Sequence, residues 1–334
     1  MSGKRVAVLG ATGLVGREML YTLEQRKFPV SELVPLASPR SAGKKVVFNG
    51  EEITVRAVAC DSFKGVDVAL FSAGGKTSKQ WAPVAAASGA VVIDNSSAWR
   101  MDPEVPLIVP EINAGDVALA KNKGIIANPN CSTIQAVVVL YPLHQAAGLE
   151  YVNISTYQSV AGTGKAAIES LRDGAKAAIK GEDYKDGVYP HSIAFNLLPH
   201  IGAFDEEGIS EEEWKMVNES RKIMHLPDLR VSGITVRVPI FRCHGESVTA
   251  QFSRPLSPDE AREILKKAPG VVVRDDPRNA EYPLPSETAG KDDVCVGRIR
   301  RDTGLENALA MWIVGDNLRK GAALNAVQIA EKLA

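Results

Sequence analysis

Long apolar runs are missing from this sequence. None approaches the ~18 residues that a membrane-crossing helix requires, so no membrane association is expected. Cysteine is scarce: four residues, at 60, 131, 243 and 295, widely dispersed and without a C-x-x-C pair. That spacing excludes a dense disulfide framework and suits reduced thiols in a cytoplasmic protein. With only five histidines and no ligand-like spacing among them, no metal is expected. A dominant charge is absent too. Lysine and arginine total 39 against 40 acidic residues, for a formal net charge of −1. Nucleic acid is therefore not an expected partner, and any anionic ligand must be met by local cations. The opening MSGKRVAVLG lacks the apolar stretch and cleavage site of a signal peptide, which also points to the cytoplasm.

What is present is an alternation of short apolar runs with helical patterns. Strands are expected at RVAVLG (5–10), ELVPLA (32–37), VDVALFSA (66–73), AVVID (90–94) and GIIAN (124–128). Continuous apolar runs of this kind suit parallel strands buried on both faces. LVGREMLYTLEQRK (14–27) has the spacing of a helix, and Asn49-Gly50 marks a hairpin within 44–58. From Tyr151 the texture changes to alternating strands, including ITVRVPIF, ESVTAQFS and an antiparallel pair made by VCVGRIRR and ENALAMWIVG. Helices are expected at 164–181, 211–224 and in the tail. The expected fold class is α/β: an N-terminal Rossmann-type doubly wound domain, then an α+β substrate and dimerisation domain with a mostly antiparallel sheet. Residues 1–130, completed by a tail helix at 318–334, would form the first domain, and 131–317 the second.

GATGLVG follows the first strand and opens the first helix, with Gly10, Gly13 and Gly16 as its glycines. In that position such a loop lets backbone N–H groups of Thr12, Leu14 and Val15 approach a dinucleotide pyrophosphate. A tight turn needing positive φ is the competing reading. The second strand ends LASPRSAGKK, with no acid for a ribose 2′-hydroxyl; Ser38, Arg40 and Ser41 instead suit a 2′-phosphate, which favours NADP(H) over NAD.

Cys131 lies in GIIANPNCST, at or just before the first turn of a helix, preceded by Asn130. A helix N-terminus stabilises an anion by roughly 0.3–1 kcal/mol, up to ~2 when partly buried. A nucleophilic thiolate and a buried structural cysteine are both compatible with that setting.

GATGLVG, SPRSAGK, SSAWRM (96–101), NPNCST (128–133), QSVAGTGK (158–165), EEWKM (212–216), RVPIFRCHGES (237–247) and GDNLRKGAA (315–323) occur in order. Together they closely resemble the aspartate-β-semialdehyde dehydrogenases, in the compact bacterial branch of that family, over nearly the whole chain. The resemblance implies a phosphorylating aldehyde dehydrogenase that reduces 4-phospho-L-aspartate with NADPH to aspartate 4-semialdehyde and inorganic phosphate. That step leads to lysine (through diaminopimelate), methionine and threonine.

By the same resemblance Cys131 is the nucleophile that forms a thioester, His244 the acid/base, and Gln158 the group that orients substrate beside Cys131. Arg237 would clamp the α-carboxylate and Glu212 the ammonium, while Arg100, Asn130 and Lys215 would hold phosphate. Ser72, Gly75, Ala161, Gly162 and Asn317 match cofactor-contacting loops. From residue type alone, one histidine among five, His244 reads better as structural, although an ordinary imidazole pKa near 6.5 would suit its task. Ile234, Val236, Val238 and Ile240 share one strand face, so Arg237 projects from the other; without the resemblance it reads as an exposed strand arginine. Glu212 and Lys215 could be no more than a surface ion pair. A homodimer is expected on the family analogy. The alternatives are an N-acetyl-γ-glutamyl-phosphate reductase, which shares the chemistry, and a non-catalytic Rossmann-type nucleotide sensor.

Overall fold

Apolar runs that are too short for helices and too continuous for a half-exposed sheet build the first unit. The computed structural model describes residues 3–333; Met1, Ser2 and Ala334, at the ends of the expected first domain, lie outside them. Six parallel strands run β1 (Lys4–Leu9), β2 (Val30–Ala37), β5 (Arg56–Ala57), β6 (Val68–Phe71), β7 (Val91–Asp94) and β8 (Ile125–Ala127). Their spatial order is β5-β2-β1-β6-β7-β8, the doubly wound arrangement. All four residues of β6 are buried, as strands covered on both faces must be. α1 (Leu14–Gln25) and α2 (Gly75–Ala87) follow β1 and β6, and a short α3 (Pro110–Asn113) precedes β8.

The hairpin β3 (Lys45–Phe48) and β4 (Glu51–Thr54) turns at Asn49-Gly50, with φ of 51° and 80°. Two positive φ values in succession are what a type I′ turn requires.

The tail differs from a plain helix. Arg319–Ala323 forms a π-type turn, and the α-helix itself runs Leu324–Glu331. Its Ala326, Val327, Ile329 and Ala330 join the core made by β1, α1 and β6. Asn325 Nδ2 donates to Asn128 Oδ1 (2.7 Å) and to the carbonyl of Ile108 (2.9 Å), which pins the segment leading to Cys131.

The second unit, Cys131–Lys320, begins at the nucleophile candidate itself, since the first contains the chain up to Asn130 and from Gly321 onward. α4 (Cys131–Ala147) opens it and is buried on every side from Ser132 to Leu140, with Ile134, Ala136, Val137, Val138, Val139 and Leu140 inaccessible or nearly so. A helix apolar all round belongs in a core.

α4 lies against the central strands β9 (Leu149–Gln158), β12 (His244–Phe252), β14 (Val294–Arg301) and β15 (Ala308–Gly315). These pair antiparallel in the order β9-β12-β15-β14. β10 (Arg230–Ser232), β11 (Thr235–Arg237) and β13 (Val271–Val273) flank them in parallel, so the sheet is mixed with an antiparallel centre. The unit also holds α5 (Lys165–Lys180), α6 (Glu211–Met224), α7 (Pro258–Leu265) and a short α8 (Pro285–Thr288). The other sheet face carries Tyr157 and Trp312 in ring contact, beside exposed Ser247.

Candidate functional site

Three loops of the first unit meet at the carboxyl ends of β1, β2 and β6, where strand order reverses and ligands of this fold class bind. Gly10 donates its N–H to the carbonyl of Leu36 (2.8 Å), and Ser72 donates to that of Leu9 (2.8 Å). The glycine loop is thereby held against the Ser38–Arg40–Ser41 turn on one side and the Ser72–Gly75 turn on the other. Gly10 has φ 93°, and a Cβ there would overlap the carbonyl oxygen of Ser72; a Cβ on Gly16 would overlap that of Gly10. The chain at these two positions must be bare for the loop to close. Gly13 caps α1 without any side-chain acceptor, and no acidic residue occupies the first turn. The N–H groups of Leu14 and Val15 are left for an outside anion. Ser38 and Arg40 are exposed beside them. This cradle fits a dinucleotide bearing a 2′-phosphate.

Arg100, also in the first unit, is buried; its Nε donates to the carbonyl of Asn128 (3.0 Å) and its Nη2 to that of Asn95 (2.9 Å). It brackets the turn that ends in buried Asn130. Before any ligand is considered, this arginine already supports the approach to Cys131.

In the second unit the expected residues converge from five segments far apart in sequence. Register pairs His244 with Gln158 across β9 and β12, and Arg237 with Gln158 across β9 and β11. Gln158 Nε2 donates to Glu212 Oε1 (3.1 Å), and Lys215 Nζ donates to Glu212 Oε2 (3.0 Å). Arg237 Nη1 donates to the carbonyl of Ser159 (2.8 Å) and faces Gln158 Oε1 at 3.5 Å. Gly162 stands beside them: a Cβ there would lie 3.3 Å from Arg237 Nη1 and 3.7 Å from His244 Nε2. Its missing side chain leaves space in front of both groups. Ala161 is buried behind it, and Asn317 Oδ1 accepts from the Cys243 N–H (2.9 Å) and the Ser159 hydroxyl (3.2 Å).

Two readings of single residues change. Arg237 is not an exposed strand arginine: it and Thr235 are buried, whereas Ile234 on the opposite face is 48% exposed. The buried side of β11 is the polar one because that side faces the site. His244 does not titrate as an ordinary imidazole. Complete burial, then the Arg237 guanidinium, pushes its pKa down to about 3. Its Nδ1 accepts from the Ser159 N–H (3.0 Å), so the neutral ring carries its proton on Nε2. That buried Nε2 has no partner, and neither has Arg237 Nε. Unmet donors in such a place cost about 1–3 kcal/mol each unless a ligand receives them.

The run Glu211–Glu213 is sorted by the cap of α6. Ser210 Oγ accepts from the Glu213 N–H, and Glu213 returns the bond to the Ser210 N–H (2.8 Å). Glu213 is thus spent as the cap and Glu211 is exposed, leaving buried Glu212 to point among Gln158 and Lys215. Sequence reasoning missed Ser159, whose N–H orients His244 and whose carbonyl holds Arg237. Its position next to Gln158 was the available signal, but a backbone role leaves no mark on residue type.

Models of the semialdehyde dehydrogenase NAD-binding domain and of the semialdehyde dehydrogenase dimerisation domain match residues 5–120 and 140–320. Both halves therefore define an oxidoreductase of the semialdehyde dehydrogenase class. An aspartate-semialdehyde dehydrogenase of Aquifex aeolicus is 58% identical over 99% of this chain and 98% of its own length. One from Bacillus subtilis is 49% identical over 99% of this chain and 97% of that protein. Among solved structures, the aspartate semialdehyde dehydrogenase II of Vibrio cholerae complexed with ASA superposes with a TM-score of 0.96 at 43% identity, covering 100% of this chain and 98% of that one. The chain belongs to the aspartate-semialdehyde dehydrogenases. It is an enzyme, an oxidoreductase whose cofactor is NADP(H).

Proposed function

We propose that this enzyme reduces 4-phospho-L-aspartate to L-aspartate 4-semialdehyde, releasing inorganic phosphate, through a thioester on Cys131. The observation that carries this reading is the pair of buried, unmet donors, Arg237 Nε and His244 Nε2, on two side chains that border the space Gly162 leaves open. A guanidinium offers a planar fork for the substrate α-carboxylate. Glu212, held by Gln158 and Lys215, supplies the negative charge for a free ammonium. That charge favours aspartyl over N-acetylglutamyl substrates, in keeping with the full-length relatives. A non-catalytic nucleotide sensor would have no use for such a cluster.

Cys131 Sγ attacks the acyl carbon; the S–C bond forms, the C–O bond to phosphate breaks, and phosphate departs with the electron pair. Arg100, Asn130 and Lys215 are assigned to that phosphate. Ser38, Arg40 and Ser41 hold the cofactor 2′-phosphate, and the glycine loop its pyrophosphate; Ala161, Gly162 and Asn317 shape the loops beside the site. The cofactor, when bound, supplies hydride. His244, neutral with its proton on Nε2, donates a hydrogen bond to the reacting oxygen, steadying its charge until Cys131 leaves as thiolate. Gln158 fixes the carbonyl orientation. The open face of the second sheet, with Tyr157 and Trp312, is the proposed homodimer surface, and the cytoplasm the proposed setting.

The test is comparative. Phosphate-dependent NADP reduction should be faster with aspartate semialdehyde than with N-acetylglutamate semialdehyde; the reverse order overturns the substrate assignment. With phosphate withheld, mass spectrometry should find an aspartyl adduct on the peptide carrying Cys131.

A further inference from the structure

Two residues beyond His244 on β12, and on the same strand face, stands Glu246. It is wholly inaccessible, and neither carboxyl oxygen accepts a hydrogen bond. One turn beyond Cys131 on α4 stands Gln135, with the complementary defect. Its Nε2 donates to the carbonyl of His244 (3.4 Å), while its Oε1 has no donor. The sheet is cut away to receive Gln135. A Cβ on Gly315, which pairs with His244 across β15, would come within 2.7 Å of Gln135 Oε1.

An isolated buried carboxylate is too costly to persist; such a group takes up a proton instead. Burial drives the Glu246 carboxyl well above the ordinary carboxylate range, and the Gln135 amide is the group that opposes the shift. Glu246 Oε1, Glu246 Oε2 and Gln135 Oε1 are three buried acceptor atoms without a donor, on two side chains that interact with each other, and a single proton between them satisfies two.

We propose that Glu246 is a neutral acid whose O–H donates to Gln135 Oε1, completing a chain from Glu246 through Gln135 to the carbonyl of His244. The chain fastens α4 to β12, and so holds the first turn of α4, where Cys131 stands, in register with the head of β12, where His244 stands. Glu246 and Gln135 are positioning residues; they reach neither substrate nor cofactor. The catalytic consequence rests on the reading of Cys131 and His244 given above, whereas the hydrogen-bond chain does not.

Infrared difference spectra between the intact enzyme and Glu246→Gln at neutral pH test the chain directly. The carbonyl stretch of a protonated carboxylic acid should be present in the first and absent in the second; no such band overturns the proposal. In kinetics, Glu246→Gln, which keeps a donor, should retain near-native kcat and KM. Glu246→Leu and Gln135→Leu should each lower kcat roughly 10- to 100-fold with KM little changed, the scale of a small misplacement of reacting groups. The double variant should lose no more than either alone. Equal loss in Glu246→Gln and Glu246→Leu, or additive losses, overturns the positioning role. If Glu246→Leu does not fold, Gln135→Leu and the infrared band decide the matter. Should Cys131→Ala stay active while the band persists, the functional reading falls and the chain stands.

Discussion

The two units build their sites from different materials. In the first, the candidate pyrophosphate cradle is almost all backbone: Gly10, Gly13 and Gly16 contribute by having no side chain, and α1 contributes an open N-terminus. In the second it is almost all side chain, with Gln158, Glu212, Lys215, Arg237 and His244 gathered from β9, α6, β11 and β12. A nucleotide phosphate is a common shape that a rigid loop can cradle. A small amino-acid substrate must be recognised group by group. The first kind of site fails by distortion and the second by deletion.

The contrast can be broken most severely at Cys131. Cys131→Ala should lower turnover by on the order of 10⁴-fold or more, the scale seen when a covalent nucleophile is removed. NADPH binding, followed by fluorescence, should survive. Activity near the native level would end the covalent mechanism.

Next in size, Gly10→Ala should do the opposite. It forces a side chain into φ 93° against the Ser72 carbonyl, at a strain cost of roughly 1–3 kcal/mol or more. NADPH affinity and the melting temperature should fall together. Arg237→Lys preserves charge but loses the fork, and kcat/KM for aspartate semialdehyde should drop roughly 10- to 100-fold with cofactor KM unchanged. Arg40→Ala should raise the KM for NADPH by about tenfold while leaving that for NADH alone, since one charge-assisted contact is at stake.

The smallest effect sharpens the second site alone. His244 is depressed from 6.5 to about 3 in the folded protein. Between those values the unfolded chain binds a proton that the native one refuses, so stability falls as pH drops through that window. His244→Asn should flatten the acid limb in urea titrations. The kcat profile should also lack an inflection near 6.5 assignable to this residue; finding one would show that the ring is less dehydrated than its burial implies.

What could be read from the sequence followed the same division. Gly10–Gly16 and Asn49-Gly50 announce their conformations because the requirement is local: a residue without a side chain, or two successive positive φ values. The parallel strands declare themselves because burial on both faces demands unbroken apolar runs. The second site leaves no comparable trace, and its residues were reached through family resemblance. Arg237 is misplaced by strand alternation, because an apolar stripe is assumed to face inward, and here the buried face is the polar one, lined by Thr235 and Arg237. Glu212 cannot be told from its neighbours until the cap of α6 is known. The perturbation of His244 arises from enclosure in the fold, by β9 some 85 residues earlier among others, and from the Arg237 guanidinium, and Ser159 acts through main-chain atoms that any residue possesses.

The capping of α6 has an evolutionary corollary. Three consecutive glutamates behave as a vernier: Ser210 and Glu213 lock the helix start, and the lock decides which of the three is buried against Gln158. A one-residue insertion or deletion between Ser210 and Glu212 would turn Glu212 by about 100° on the helix and present a different carboxylate in its place. Lineages of this enzyme should therefore tolerate length changes in the turn before Ser210 far more readily than within the two residues after it.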